Sequence, residues 1–77
     1  MNPTELIELD ARGLDCPLPL LTATRAINQM ASGDTLRVLA TDSGSVRDFE
    51  VFCRQSGHQL RSSDERAGVY VHVLKKS

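Results

Sequence analysis

Residues 5–10 alternate, with Ile7 and Leu9 on one side and Glu8 and Asp10 on the other, the two-residue period of a half-buried strand. The period changes after Arg12-Gly13-Leu14. Leu20, Ala23, Ile27 and Met30 recur at intervals of three and four, while Thr24, Arg25, Asn28 and Gln29 fall outside that stripe. This spacing predicts an amphipathic helix stopped by Gly33. Residues 35–41 alternate again, Leu36, Val38 and Ala40 against Arg37, Leu39 and Thr41, and predict a second strand. After the turn Thr41-Asp42-Ser43-Gly44, Ser45 and Asp48 have the spacing of a variant capping box opening a second helix. Its buried stripe is Val46, Phe49, Cys53 and Phe52, and Gly57 ends it.

Residues 58–63 read as a polar strand, and beyond Gly68 the residues Val69, Val71 and Val73 alternate with Tyr70, His72 and Leu74. A hairpin around Asp64-Glu65-Arg66-Ala67 joins the two. The predicted fold class is α/β, a two-layer α/β sandwich of order β-α-β-α-β-β. Its mixed four-stranded sheet carries both helices on one face, and the first βαβ unit crosses over with a right hand. Arg37, Leu39, Tyr70, His72 and Leu74 are then expected on the open face.

Seventy-seven residues are too few for two independently stable cores, so residues 1–77 are read as one domain. Apolar content of 40% and charged content of 25% are those of a folded domain. A net charge of −1 with scattered Lys and Arg gives no electrostatic footprint for nucleic acid or an anionic membrane. Met1-Asn2-Pro3-Thr4-Glu5 lacks the features of a signal peptide, and no apolar run has the length of a membrane span. The expected location is the cytoplasm.

Two cysteines, Cys16 and Cys53, are too few for a disulfide framework and match neither a CxxC pair nor a zinc cluster. Cys53 lies in the apolar stripe of the second helix and reads as core. Cys16 lies in Gly13-Leu14-Asp15-Cys16-Pro17-Leu18-Pro19, between strand and helix. A residue before proline leaves the helical region, so Cys16 is expected as N-cap with Pro17 as first helical residue, or with the helix entered at Pro19. There the unpaired N–H groups and the macrodipole favour an anion such as a thiolate. With Pro17 and Pro19 lacking N–H groups, the remaining donors are those of Leu18 and Leu20. Asp15 opposes a thiolate, and Arg12 offsets that if it folds back. His58 and His72 share no metal-ligand spacing with Cys16, and no metal or cofactor is expected.

The motif Gly13-Leu14-x-Cys16-Pro17-x-Pro19 resembles the signature of the TusA/SirA-like sulfur-carrier family. Thr41-Asp42-Ser43-Gly44-Ser45, Arg47-Asp48, Gly57-His58 and Gly68-Val69-Tyr70 are similar to its later landmarks, so the likeness covers nearly the whole chain. The resemblance implies the same fold and a persulfide on Cys16. The sulfur would come from a cysteine desulfurase or another donor and pass to an acceptor protein. Thiolation of a tRNA wobble base, molybdenum-cofactor assembly and sulfur oxidation all remain open as destinations. Leu18 and Leu21 fall away from the buried stripe and offer an apolar docking rim.

Parallel first and second strands end on one edge, which puts the second helix entrance, with Ser45, Arg47 and Asp48, beside Cys16. Capping is the simpler role for Ser45 and Asp48. The rival reading is a non-catalytic protein- or RNA-interaction module using the open sheet face. A thiol redox protein would need an accessible resolving cysteine, and Cys53 is poorly placed for that.

Overall fold

The computed structural model describes residues 5–77. Residues 1–4, on which the reading of the amino end largely rests, lie outside the described residues. The strands are β1 (Leu6–Ala11), β2 (Thr35–Ala40), β3 (Gln59–Arg66) and β4 (Val69–Lys75), and the helices are α1 (Leu18–Asn28) and α2 (Ser45–Ser56). The sheet order is β1-β2-β4-β3. β1 and β2 pair in parallel, and the remaining pairs are antiparallel. The expected β-α-β-α-β-β sandwich is the fold observed, with α1 over β1 and β2 and α2 over β4 and β3. Among the described residues no helix is long and apolar enough to cross a membrane.

Helix α1 buries Pro19, Ala23 and Ile27, as its three-and-four spacing requires, and Met30 closes the stripe just beyond the helix end at Asn28. The helix therefore stops before Gly33. Helix α2 buries Ser45, Phe49 and Cys53. Ile27, Leu36, Val38, Phe49 and Leu74 are completely buried. Each such side chain contributes about 1.5–3 kcal/mol relative to full exposure.

Strand β4 departs from the expected facing. Leu36 pairs with Leu74, Val38 with His72 and Ala40 with Tyr70, so Tyr70, His72 and Leu74 point toward the helices. Of the residues expected on the open face, only Arg37 and Leu39 are there, beside Val71 and Val73. The inversion depends on His72, which is fully buried yet bonded at both ring nitrogens, to Ser45 Oγ and Ser63 Oγ, each at 2.8 Å. Phe49 stacks on its ring at 4.6 Å. A buried histidine satisfied in this way costs far less than one without partners.

The hairpin is also tighter than expected. Asp64, Glu65 and Arg66 belong to β3, and the connection is Ala67-Gly68 alone, at φ 53° and 84°. Two positive φ values in a two-residue loop match the strand twist, as in a type I′ turn. An edge strand tolerates the charged run that otherwise resembles a loop.

Burial of His72 depresses its pKa below the usual 6.5. Stability is then constant above that value and falls as the pH drops below it, because the unfolded chain binds a proton that the folded chain refuses. Urea unfolding of the wild type should show lower stability at about pH 5.5 than at about pH 7.5. In His72→Asn that loss should shrink, and equal losses in both proteins would exclude His72 as its source.

Candidate functional site

Because β1 and β2 run in parallel, the segments that follow them emerge on the same edge of the sheet. Two side chains join these segments. Gly13 N–H donates to Thr41 Oγ1 at 2.9 Å, and Cys16 N–H donates to Asp42 Oδ2 at 2.8 Å. The other Asp42 oxygen, Oδ1, accepts Gly44 N–H at 2.8 Å. One carboxylate thus shapes its own turn and holds the loop that carries the thiol. The Cys16 and Gly44 N–H groups keep the Asp42 carboxyl below the usual carboxylate range. Asp42 is a site residue that its place within a turn motif did not reveal.

At the α1 entrance, Leu18 N–H donates to Asp15 carbonyl at 2.8 Å and Leu21 N–H to Pro17 carbonyl at 3.0 Å. The N-cap is therefore Pro17, without a side-chain cap, and Cys16 precedes it. This corrects the expectation of Cys16 as N-cap, because the Asp15-to-Leu18 turn occupies the corner before the helix. The Cys16–Pro17 peptide bond is cis. Of the two donors expected beside the sulfur, that of Leu18 is taken by Asp15.

The capping-box reading of α2 is also corrected. Its N-cap is Gly44, with no side-chain cap, and Ser45 N–H is satisfied by the Asp42 carbonyl at 3.0 Å. The Ser45 hydroxyl instead turns inward to His72. Gly44 also lies against the thiol, since a Cβ there would stand 3.6 Å from Cys16 Sγ and 3.1 Å from Asp42 Oδ1.

This packing frees the Asp48 side chain, one turn into α2, to accept a hydrogen bond from the Cys16 thiol through Oδ2. The contact reverses the electrostatic expectation. The thiol pKa is pushed up from 9.0 to about 11, chiefly by the hydrogen bond to Asp48, then by partial desolvation and the charges of Asp48 and Asp42. A helix dipole contributes at most about 1 kcal/mol at an exposed site, too little to overcome adjacent carboxylates. The site favours the protonated thiol over its anion.

The other expected site residues divide clearly. Arg12 does not fold back to the sulfur: its Nε and Nη2 hold Asp10 at 2.8 and 2.9 Å, lowering the Asp10 pKa to about 2. Asp15 acts through its carbonyl, and Arg47 is exposed, with no bond joining it to the site among the described residues. Pro19 is buried as the anchor of α1, and Leu20 packs against the core. Leu18 and Leu21 are 46% and 51% exposed on the same helix. Cys16 and Cys53 are both free, the first exposed and the second buried. Among the described residues, no group of three or more His, Cys, Asp or Glu side chains could hold a metal ion.

The family model described as sulfurtransferase TusA matches residues 7–76. The chain is 51% identical over 70 residues to a sulfur carrier protein TusA of Allochromatium vinosum, covering 91% of this chain and 92% of that protein. It is 40% identical over 76 residues to the sulfur carrier protein TusA of Pseudomonas entomophila, covering 95% of each. The crystal structure of a SirA-like protein from Desulfitobacterium hafniense superposes with a TM-score of 0.81 at 25% identity, covering 90% of this chain and 95% of that one.

The Asp48 contact has a direct kinetic consequence. Asp48→Asn should accelerate alkylation of Cys16 by iodoacetamide at about pH 8, by roughly fivefold to tenfold. The larger thiolate fraction is partly offset by lower intrinsic nucleophilicity. Mass-spectrometric time courses measure this rate, and slower alkylation in the variant would mean that Asp48 activates the sulfur instead.

Proposed function

The chain belongs to the TusA sulfurtransferase family, and we propose that it is a sulfur carrier that takes up sulfur as a persulfide on Cys16. The observation that carries this reading is the placement of the exposed cysteine. Cys16 stands where the α1 and α2 entrances meet, while Cys53 lies within the core. A transferable group needs a reachable atom at a fixed position, and this thiol is exposed with its backbone held from across the sheet edge.

In the forward step, Cys16 sulfur attacks the terminal sulfur of a donor persulfide. The donor's S–S bond breaks, its electron pair leaves on the donor cysteine, and the Cys16 proton is released. The product is Cys16–S–SH. Handing on repeats the exchange in the other direction: an acceptor thiol attacks the terminal sulfur and Cys16 regains its proton. Sulfur moves without an external oxidant or reductant, so two protein partners suffice: a cysteine desulfurase or another persulfide donor, and a downstream acceptor. The carrier is one participant in each exchange rather than an independent multiple-turnover catalyst. Two free thiols suit a reducing compartment, and we assign the protein to the cytoplasm on that basis.

The interaction-module alternative loses much of its footing because Tyr70 and His72 face the helices rather than the open side of the sheet. Leu18 and Leu21, exposed on the helix that follows Cys16, give a partner an apolar hold beside the sulfur.

Incubation with a cysteine desulfurase and cysteine, followed by intact-mass spectrometry, tests the reading. One sulfur atom should be gained by the wild type and Cys53→Ser, and none by Cys16→Ser. Uptake that survives in Cys16→Ser, or that is lost in folded Cys53→Ser, would overturn the assignment.

A further inference from the structure

Among the described residues, the Asp48 carboxylate has one hydrogen-bond partner, the Cys16 thiol. No cation neutralises it, since the ion pairs there are Asp10 with Arg12 and Glu8 with Arg37. Asp42 differs, with both carboxylate oxygens committed to backbone N–H groups of the loops. Asp42 therefore holds the frame, whereas Asp48 addresses the sulfur.

The bond between Asp48 and Cys16 needs a proton on Sγ. In Cys16–S–SH that proton has been replaced by the second sulfur, so Sγ can no longer donate, and the terminal S–H lies one S–S bond farther out and is lost when the persulfide ionises. A persulfide also ionises more readily than the thiol it replaces, which brings negative charge toward an uncompensated carboxylate. Asp48 thus stabilises one end of the exchange and opposes the other.

Resting on the persulfide-carrier reading, we propose that Asp48 sets how weakly this protein holds sulfur, stabilising the empty Cys16 thiol against the loaded persulfide and so favouring onward transfer. The reaction it biases is Cys16–SH plus R–S–SH giving Cys16–S–SH plus R–SH. The Cys16 S–H bond and the donor S–S bond break, a Cys16 S–S bond and a donor S–H bond form, and no electrons are gained or lost overall. Asp48 contacts the reacting sulfur directly but takes no part in the covalent change. Its effect is on the equilibrium, through a hydrogen bond from Sγ that the empty state alone can make. The upward shift of the thiol pKa agrees with this arrangement.

The test is the exchange equilibrium with glutathione persulfide and glutathione at fixed ratios, read as the loaded fraction by intact mass. Wild type, Asp48→Asn, Asp48→Ala and Asp48→Glu are compared, with Cys16→Ser as the control for the loading position. Loss of a charge-assisted hydrogen bond should shift the equilibrium toward the loaded form by on the order of tenfold in Asp48→Asn, with Asp48→Ala moving the same way. Asp48→Glu, which retains an acceptor carboxylate, should remain closer to wild type. Equal or lower loading in Asp48→Asn and Asp48→Ala, with the wild type loading on Cys16, would overturn the role of Asp48 and leave the carrier reading intact. A wild type that gains no sulfur on Cys16 would remove the carrier reading and this inference with it.

Discussion

The site depends on the two hydrogen bonds accepted by the Asp42 carboxylate. One oxygen takes Cys16 N–H and the other takes Gly44 N–H, so the loops after β1 and β2 are fixed to one another at 2.8 Å on each side. Both bonds are charge-assisted, and so stronger than bonds between neutral groups. The stitch is possible because the two strands are parallel and release their loops on one edge. It has room because Gly44 brings no side chain against the sulfur. Asp48 then meets the thiol as a consequence of where α2 begins.

The fold was legible because its periods were clean. The spacing of Ala23, Ile27 and Met30 located the buried face of α1, and the alternation of Leu36, Val38 and Ala40 located that of β2. Where period alone was ambiguous, contacts distant in sequence decided. Both rows of β4 are apolar enough to be buried, and His72 enters the core only because Ser45 and Ser63 meet its ring. The charged end of β3 looked like a turn because its edge position was not yet known.

At the site, Cys16 and the nearness of the second helix entrance followed from the chain itself: a proline-marked corner and two parallel strands. The electrostatics did not. Ser45 and Asp48 had the spacing of a cap, yet the backbone N–H of Ser45 was satisfied by Asp42, leaving one side chain for His72 and the other for Cys16. The expected anion-friendly corner thus holds a thiol between a structural carboxylate and an uncompensated one. Protonation guards an exposed sulfur against incidental electrophiles, because the thiolate is the reactive form. For a carrier, such a sulfur is available to a docked partner without being generally reactive.

The most direct measurement is an NMR titration of the Cys16 Cβ resonance in the unloaded protein. The contact with Asp48 is expected to keep the thiol protonated through pH 9.0, its ordinary midpoint, with ionisation centred at about 11. A midpoint below 9.0 would contradict the guarded thiol and restore a site built to hold an anion.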